Sequence, residues 1–280
     1  MTILELFNKK FKAKGDNMDK KIVLITGAGK GIGKATVKKF LKEGFIVIAT
    51  DKVWENKIEN NFVYCYEMDV TDRNSIKYVV NKIEKEIGSI DVLVNAAGIF
   101  ETLSVGQTSV VQWENIFSVN STGVFNVTQI ITDKMQKRKK GSVVIVSSNA
   151  SKFPRKYMAA YAASKAAASM YIKCLALELS EYNIRCNIVS PGSTNTDMQR
   201  KLWNGAEIVP KAVLEGDLKN YRLGIPLRKI AEPNEIADAI YFLASDAAGH
   251  ITMEELTVDG GATMGVSVNA SMKNIQPLQR

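Results

Sequence analysis

KIVLITGAGKGIG, at residues 21–33, is the stretch that decides the fold of this chain. Its first half, Lys21 to Thr26, is apolar and β-branched, which predicts a buried strand. The glycines that follow permit a tight turn and a close approach of the backbone to a ligand, and the helix that they open directs its amide donors and partial positive charge at that turn. A strand, a Gly-x-x-x-Gly-x-Gly turn and a helix in this order predict a site for the pyrophosphate of a dinucleotide.

Apolar runs and helical segments alternate along the rest of the chain. Six further strands are predicted at 45–50, 62–66, 90–94, 142–147, 184–189 and 255–258. Helices are predicted between them, among them a long one over 112–137 and another over 161–181. Near-continuous apolar strands alternating with helices predict a doubly wound (Rossmann) α/β fold with a parallel seven-stranded sheet. The segment 193–223 breaks the alternation, and we expect it to be a lid over the substrate.

The composition excludes several classes of protein. No apolar run approaches the ~18–20 residues that span a bilayer, so no membrane partner is expected. The formal charge of +8 fits a solvated surface and anionic small molecules, and we expect no nucleic-acid partner. The single histidine rules out a multi-histidine metal site, so no metal is expected. Three cysteines without a shared spacing favour a reducing compartment, the cytoplasm.

The domain boundaries follow from where the alternating pattern starts and stops. We expect residues 1–17 to be a disordered or upstream extension, 18–266 to be one domain and 267–280 to be a C-terminal tail.

Polar and small residues follow the predicted strands, where an open α/β sheet binds its ligands. Asp51 closes the second strand, and a carboxylate there accepts hydrogen bonds from the adenosine ribose and repels a 2′-phosphate, which predicts NAD as the cofactor. Asp69-Val70 follows the third strand and is expected at the adenine. Asn95-Ala96-Ala97-Gly98 follows the fourth strand, where its small residues let the backbone approach the cofactor.

Tyr161 and Lys165 carry the predicted chemistry. Residues at i and i+4 share one helix face, so the two side chains point the same way. An adjacent ammonium favours the phenolate, and we therefore expect Lys165 to lower the pKa of Tyr161 into the range of a useful base. Ser148, at the end of the fifth strand, can reach the same cleft and bond the reacting oxygen. Asn120, on the long helix, is expected to hold a water beside Lys165 for proton relay.

Together these motifs resemble the short-chain dehydrogenase/reductase family from about residue 19 to residue 265. The resemblance is carried by TGAGKGIG at 26–33, VNAAGI at 94–99, IRCNIVSPGSTNTDMQRKLW at 184–203 and GIPLRKIA at 224–231. It implies a homotetramer and an NAD site that includes both Tyr161 and Lys165. The other implied cofactor contacts are Gly27, Lys30, Gly31, Ile32, Gly33, Asp51, Asp69, Val70, Asn95, Ala96, Gly98, Pro191, Gly192, Thr194 and Thr196.

Two stretches, Pro154-Arg155 and 196–200, are more specific within that family. They resemble members that oxidise a cyclohexadiene diol carboxylate in catecholate siderophore biosynthesis. The resemblance implies hydride removal from the C3 carbinol to NAD, with Tyr161 accepting the hydroxyl proton, Ser148 orienting the oxygen and Lys165 also holding the nicotinamide ribose. The keto product then tautomerises to a catechol. The implied substrate contacts are Ser148, Arg155, Met198, Gln199 and Arg200.

The substrate's carboxylate needs a cationic partner, for which Arg155 is the prediction and Arg200 and Lys156 are rivals. Two alternative functions stay open. One is another dehydrogenase/reductase of the same fold, such as a 3-oxoacyl reductase, which usually prefers NADPH. The other is a non-catalytic nucleotide-sensing protein, which typically lacks the tyrosine or the lysine.

Overall fold

Seven parallel strands form one sheet at the centre of the molecule. The computed structural model describes residues 20–203, 208–217, 219 and 221–263. The strands lie in the order β3-β2-β1-β4-β5-β6-β7, which confirms the doubly wound parallel fold. They are β1 Ile22–Thr26, β2 Ile46–Asp51, β3 Val63–Glu67, β4 Val92–Asn95, β5 Gly141–Val146, β6 Ile184–Pro191 and β7 Glu255–Val258. The predicted segments 1–17 and 267–280 lie outside the described residues.

Helices cover both faces of this sheet. They are α1 Gly31–Lys42, α2 Arg73–Glu86, α3 Val110–Phe117, α4 Gly123–Arg138, α5 Ala159–Leu179, α6 Asp197–Lys201, α7 Lys211–Glu215 and α8 Pro233–Ala244. None of the described helices is long and apolar enough to cross a membrane.

The strands are apolar throughout because each face of the sheet has its own core. Successive side chains of β1 point to opposite faces. Leu24 packs into the core that holds Val127 of α4 and Ile172 of α5. Val23 packs into the core that holds Phe40 of α1 and Ile240 of α8. A strand between two cores cannot show polar alternation, which is why the continuous apolar runs identified the strands.

The long helix predicted over 112–137 is two helices. It begins earlier, because the side chain of Ser109 caps α3 and Gln112 completes a capping box. It is then interrupted by a π-helical turn at Ser118–Thr122. Such turns insert a residue into the helical ladder and are frequent at functional sites. Here the insertion contains Asn120, and Gly123 follows it where a Cβ would meet Val70 at 2.7 Å.

The order in which strands are added to the sheet reverses between β1 and β4. β2 and β3 lie on one side of β1, while β4 to β7 lie on the other. The loops that leave β1 and β4 therefore diverge at their carboxyl ends, and a crevice opens between them. Ligands of open α/β sheets bind at this kind of switch point.

The packing of α1 generates a prediction for stability. Phe40 is fully buried, and its ring centroid lies 5.0 Å from that of Phe45 and 5.4 Å from that of Tyr241. Replacing Phe40 with Ala should lower the free energy of unfolding by about 3–5 kcal/mol, because it removes a large buried ring and leaves a cavity. Chemical denaturation measures this. The control is Tyr78→Ala, whose side chain is 67% exposed and which should change stability by about 0.5 kcal/mol or less. Equal losses in both variants would contradict the assignment of this core.

Candidate active site

A cleft of about 960 Å³ lies at the carboxyl ends of the strands, at the switch point. Its volume suits a dinucleotide together with a small substrate. Many of the residues predicted from the sequence line it. These are Gly27, Lys30, Gly31, Ile32, Gly33, Asp51, Asp69, Val70, Ala96, Gly98, Tyr161, Lys165, Thr196 and Met198.

The glycine-rich turn leaves no room for side chains. A Cβ on Gly33 would lie 2.0 Å from the carbonyl oxygen of Gly27, and a Cβ on Gly27 would lie 2.7 Å from the backbone of Ala97. Gly27 and Gly31 also have positive φ angles of 64° and 49°. No side chain caps the first amides of α1 at Lys30. The cleft therefore ends against bare backbone amides and a helix N-terminus, which fit a pyrophosphate.

Carboxylates occupy the end of the cleft beyond this turn. Asp51 accepts hydrogen bonds from the backbone amides of Gly29 and Lys52, both at 2.8 Å. The lysines that line this end each have a carboxylate partner: Lys30 pairs with Glu55, and Lys52 pairs with Asp69 at 2.8 Å. The hydrogen bond to Glu55 raises the pKa of Lys30. This end of the cleft therefore presents an anchored carboxylate and paired cations.

Tyr161 and Lys165 lie at the opposite, buried end. The Tyr161 ring packs edge-on against Phe100, with centroids 4.8 Å apart, and its hydroxyl receives a hydrogen bond from Ser148. Lys165 is 5% exposed, and its ammonium donates to the carbonyl of Val146 at 2.8 Å. Burial lowers the pKa of Lys165 to about 8. A partly buried phenol, a hydroxyl and a buried lysine can together bind an alcohol oxygen and move its proton.

The electrostatics of Tyr161 differ from the sequence expectation. Burial raises the pKa of Tyr161, and the hydrogen bond from Ser148 opposes this rise. The Lys165 nitrogen lies 5.9 Å from the centre of the tyrosine ring. Lys165 was expected to lower this pKa, but its ammonium points to the Val146 carbonyl and is itself destabilised by burial. In this arrangement Ser148 is the group that favours the phenolate.

Asn120 is held beside these residues by the π-helical turn. Its amide oxygen accepts from the Ile99 amide at 2.9 Å, and its amide nitrogen donates to the Ile99 carbonyl at 2.9 Å and to Ser164 at 3.1 Å. A Cβ on Gly98 would lie 3.3 Å from both the Asn120 oxygen and the Lys165 nitrogen. The structure thus places Asn120 close to Lys165, with Gly98 leaving the space between them free.

Several predicted cofactor residues lie outside the wall of the cleft. Asn95 is buried and donates to Thr128 at 3.0 Å, which ties β4 to α4. Pro191 ends β6, and Gly192 and Thr194 follow it; none of the three lines the cleft, and the tight space around Gly192 is set by Asp259. These positions shape the loop that carries Thr196 into the cleft.

Only one face of α6, the first helix of the predicted lid, lines the cleft. Met198 lines the cleft together with Lys201 and Leu202, whereas Gln199 and Arg200 do not. Arg200 instead bonds Asn195 at 2.8 Å and pairs with Asp197 at 3.6 Å. Positions i, i+3 and i+4 share a helix face. That spacing is the signal that could have added Lys201 and Leu202 to the sequence prediction.

The cofactor segment predicted after β4 ended at Gly98, but the wall of the cleft extends further along the chain. Phe100, Glu101 and Leu103 continue the wall beyond Gly98. Arg155 does not line the cleft, but its loop adjoins this stretch, since the Leu103 amide donates to the Tyr157 carbonyl at 2.9 Å. No described group of His, Cys, Asp and Glu residues could hold a metal ion.

Comparisons with known proteins agree with this geometry. The family profile described as short chain dehydrogenase matches residues 21–207. The 2,3-dihydro-2,3-dihydroxybenzoate dehydrogenase of Bacillus subtilis is 50% identical over 265 residues, which cover 91% of this chain and 99% of that protein. The 3-oxoacyl-[acyl-carrier-protein] reductase FabG of Thermotoga maritima is 40% identical over 87% of this chain and 98% of that protein.

A solved structure shares the fold. The aldohexose dehydrogenase of Thermoplasma acidophilum, in ligand-free form, superposes with a TM-score of 0.80 at 32% identity, covering 89% of this chain and 96% of that one. The chain belongs to the short-chain dehydrogenase family. It is an oxidoreductase, and its family and Rossmann fold imply a nicotinamide cofactor.

The geometry around Tyr161 generates a second prediction. Tyr161→Phe keeps the ring against Phe100 but removes the hydroxyl that bonds Ser148, and kcat should fall by about 10²–10⁴-fold. Cofactor affinity, measured by fluorescence titration, should change little. The matched control is Tyr157→Phe, a 58% exposed tyrosine four residues earlier, which should keep its kcat. Retention of most of the kcat by Tyr161→Phe would remove Tyr161 from the role of base.

Proposed function

We propose that this enzyme oxidises 2,3-dihydro-2,3-dihydroxybenzoate to 2,3-dihydroxybenzoate with NAD, as a step of siderophore biosynthesis. The observation that carries the chemistry is that Tyr161, whose pKa Ser148 lowers, lies beside the buried Lys165 in a dinucleotide-sized cleft, with the Lys165 nitrogen 5.9 Å from the centre of the tyrosine ring. The choice of substrate is supported by 50% identity, over almost the whole of its length, to the B. subtilis enzyme of that name.

The reaction uses this chain's residues for binding and for proton transfer. The Ser148 hydroxyl, which has a single proton, turns from Tyr161 to donate to the substrate oxygen, and Tyr161 takes the substrate's hydroxyl proton as the carbon gives up its hydride. A bound nicotinamide cofactor supplies the hydride acceptor. Lys165 holds the nicotinamide ribose, and Asn120 keeps a water beside Lys165 for the onward transfer of the proton. The ketone that results tautomerises to the aromatic catechol, which makes the overall oxidation favourable.

Asp51 and its neighbours support NAD rather than NADP. A carboxylate has about four lone-pair sites, so Asp51 can accept ribose hydroxyls while it keeps its two backbone bonds. A 2′-phosphate would meet that charge, and the nearby cations Lys30 and Lys52 already have carboxylate partners. Like charges in contact cost several kcal/mol.

An assay of cofactor reduction tests the proposed function. The purified chain should reduce NAD with the diol carboxylate and should have a much lower kcat/KM with NADP. The rival function, reduction of a 3-oxoacyl thioester with NADPH, is assayed in parallel because the T. maritima relative has that name. A higher kcat/KM for the thioester, or equal use of the two cofactors, would contradict the proposal.

Arg155 is our proposed partner for the substrate carboxylate. Burial lowers its pKa, the nearby Arg222 guanidinium lowers it further, and Asp259 opposes both. Among the described residues neither arginine forms an ion pair. Two partly buried cations that repel each other are a costly arrangement, which Asp259 offsets in part and which a bound carboxylate would relieve further. The rivals are less available, since Arg200 bonds Asn195 and Asp197, and Lys156 donates to the Lys219 carbonyl.

Replacing Arg155 with Met should raise the KM for the diol carboxylate by about tenfold or more, because a charged hydrogen bond contributes about 1.5–3 kcal/mol. Oxidation of an uncharged cyclohexanol analogue should hardly change. Arg200→Met is the matched control and should leave the KM of both substrates unchanged. If Arg155→Met raises the KM of both substrates by the same factor, Arg155 supports its loop and does not bind the carboxylate.

We further propose that residues 18–266 form the catalytic domain and that the enzyme is a cytoplasmic homotetramer, as the family resemblance implies. The three unpaired cysteines suit a reducing compartment.

A further inference from the structure

Glu255 is a buried carboxylate that does not line the cleft. It opens β7, where it pairs in register with Ile188 of β6, and its side chain is only 5% exposed. Burying a charge is unfavourable unless the charge is paired and hydrogen-bonded. A carboxylate in this position therefore depends on the donors that surround it.

Its donors come from three separate parts of the fold. The Oε2 atom accepts from Lys173 of α5 at 2.8 Å. The Oε1 atom accepts from Ser190 of β6 at 2.9 Å and from Ser151, in the turn after β5, at 3.2 Å. The ammonium of Lys152, next in that turn, lies 3.5 Å from Oε1. Burial raises the pKa of Glu255, but the bonds from Lys173 and Ser190 outweigh it, so the pKa lies below its ordinary value and the group is ionised at neutral pH.

Two of these donors lie on the elements that carry the reacting groups. Ser151 sits in the short turn that Ser148 caps, and its amide donates to the Ser148 carbonyl at 3.0 Å. The single proton of its hydroxyl is shared between that carbonyl, at 2.7 Å, and Glu255, at 3.2 Å. The Ser151 hydroxyl thus lies between Ser148 and Glu255. Lys173 is on the same helix as Tyr161 and Lys165, about 12 Å along the axis from the latter.

We propose that Glu255 is a positioning residue. By accepting hydrogen bonds from both elements, it fixes the distance between the turn that carries Ser148 and the helix that carries Tyr161. Ser148 and Tyr161 belong to these same two elements, so the interaction by which Ser148 lowers the pKa of Tyr161 depends on their separation. Misplacement by about 1 Å can cost roughly 100-fold in rate. The proposal rests on the roles given above to Ser148 and Tyr161.

The test begins with Glu255→Gln in the full chain. The amide keeps the size of the side chain but removes the charge that holds Lys173. We expect kcat to fall by about tenfold or more, while KM and the NAD dissociation constant stay within about twofold, because neither the cofactor wall nor Arg155 is touched. Glu254→Gln is the matched control: the same substitution one residue earlier, on an exposed side chain, should change nothing. An unchanged kcat in Glu255→Gln would overturn the proposal.

The pH profile separates positioning from general destabilisation. The bond from Ser148 lowers the pKa of Tyr161, so loosening that bond raises it. The rise of kcat/KM with pH, which reports groups of the free enzyme, should therefore move to higher pH in Glu255→Gln, and it should return toward the wild-type position in Glu255→Asp, which restores the charge. A lower kcat with an unshifted profile would indicate a structural role only and would also overturn the proposal.

A double-mutant cycle covers the case in which Glu255→Gln folds poorly. Ser151→Ala removes only the hydroxyl between Ser148 and Glu255, and it should lower kcat and shift the profile in the same direction. Combined with Glu255→Gln, it should add little further loss, because both act through one contact. Fully additive losses, or a Ser151→Ala variant with wild-type kcat, would count against the proposal. All variants are compared on whichever alcohol the wild type oxidises, so failure of the diol carboxylate as a substrate would refute the proposed function and leave this test intact.

Discussion

The contact between Gly33 and Gly27 is the constraint on which the rest of the structure depends. With 2.0 Å between the position of a Cβ on Gly33 and the Gly27 oxygen, α1 can start only if residue 33 has no side chain. This close approach brings the N-terminus of α1 over the end of β1, where Gly27 lies against the backbone of Ala97, two residues beyond β4. The crevice of the switch point then has backbone amides as its floor, and the carboxylate of Asp51 stands at its edge.

The reacting groups sit at the other end of the same crevice, where burial sets their properties. Burial lowers the pKa of Lys165 to about 8 and raises that of Tyr161, so desolvation alone acts against the phenolate. The compensation comes from Ser148, on a different element. In the proposed mechanism, proton transfer depends on the interaction of Ser148, in the turn after β5, with Tyr161 on α5. The separation of these two elements must therefore be fixed. The carboxylate of Glu255 is placed to do this, with donors from β6, the Ser148 turn and α5.

Charge is distributed differently at the two ends of the cleft. At the end of the cleft beside Asp51, Lys30 and Lys52 each have a carboxylate partner, and this is the basis of the proposed preference for NAD. Beside the substrate end, burial and then the neighbouring Arg222 guanidinium lower the pKa of Arg155, and Asp259 opposes them. This contrast suits the proposed pair of ligands, a cofactor with an unphosphorylated ribose and an anionic ring.

The sequence by itself determined the fold, the glycine turn, Asp51 and the Tyr161–Lys165 pair, because each of these depends on residues close together in the chain. Strands between two cores are continuously apolar, and i and i+4 must share a helix face. Only the tertiary structure decided what depends on residues far apart. The π-helical turn that holds Asn120 forms where the helix packs against Val70 and Ser164, and no helical periodicity marks it. The helical face of 198–202 that meets the cleft, the orientation of Lys165 toward Val146 and the role of Glu255 likewise follow from packing between distant segments, whose contacts leave no local pattern in the chain.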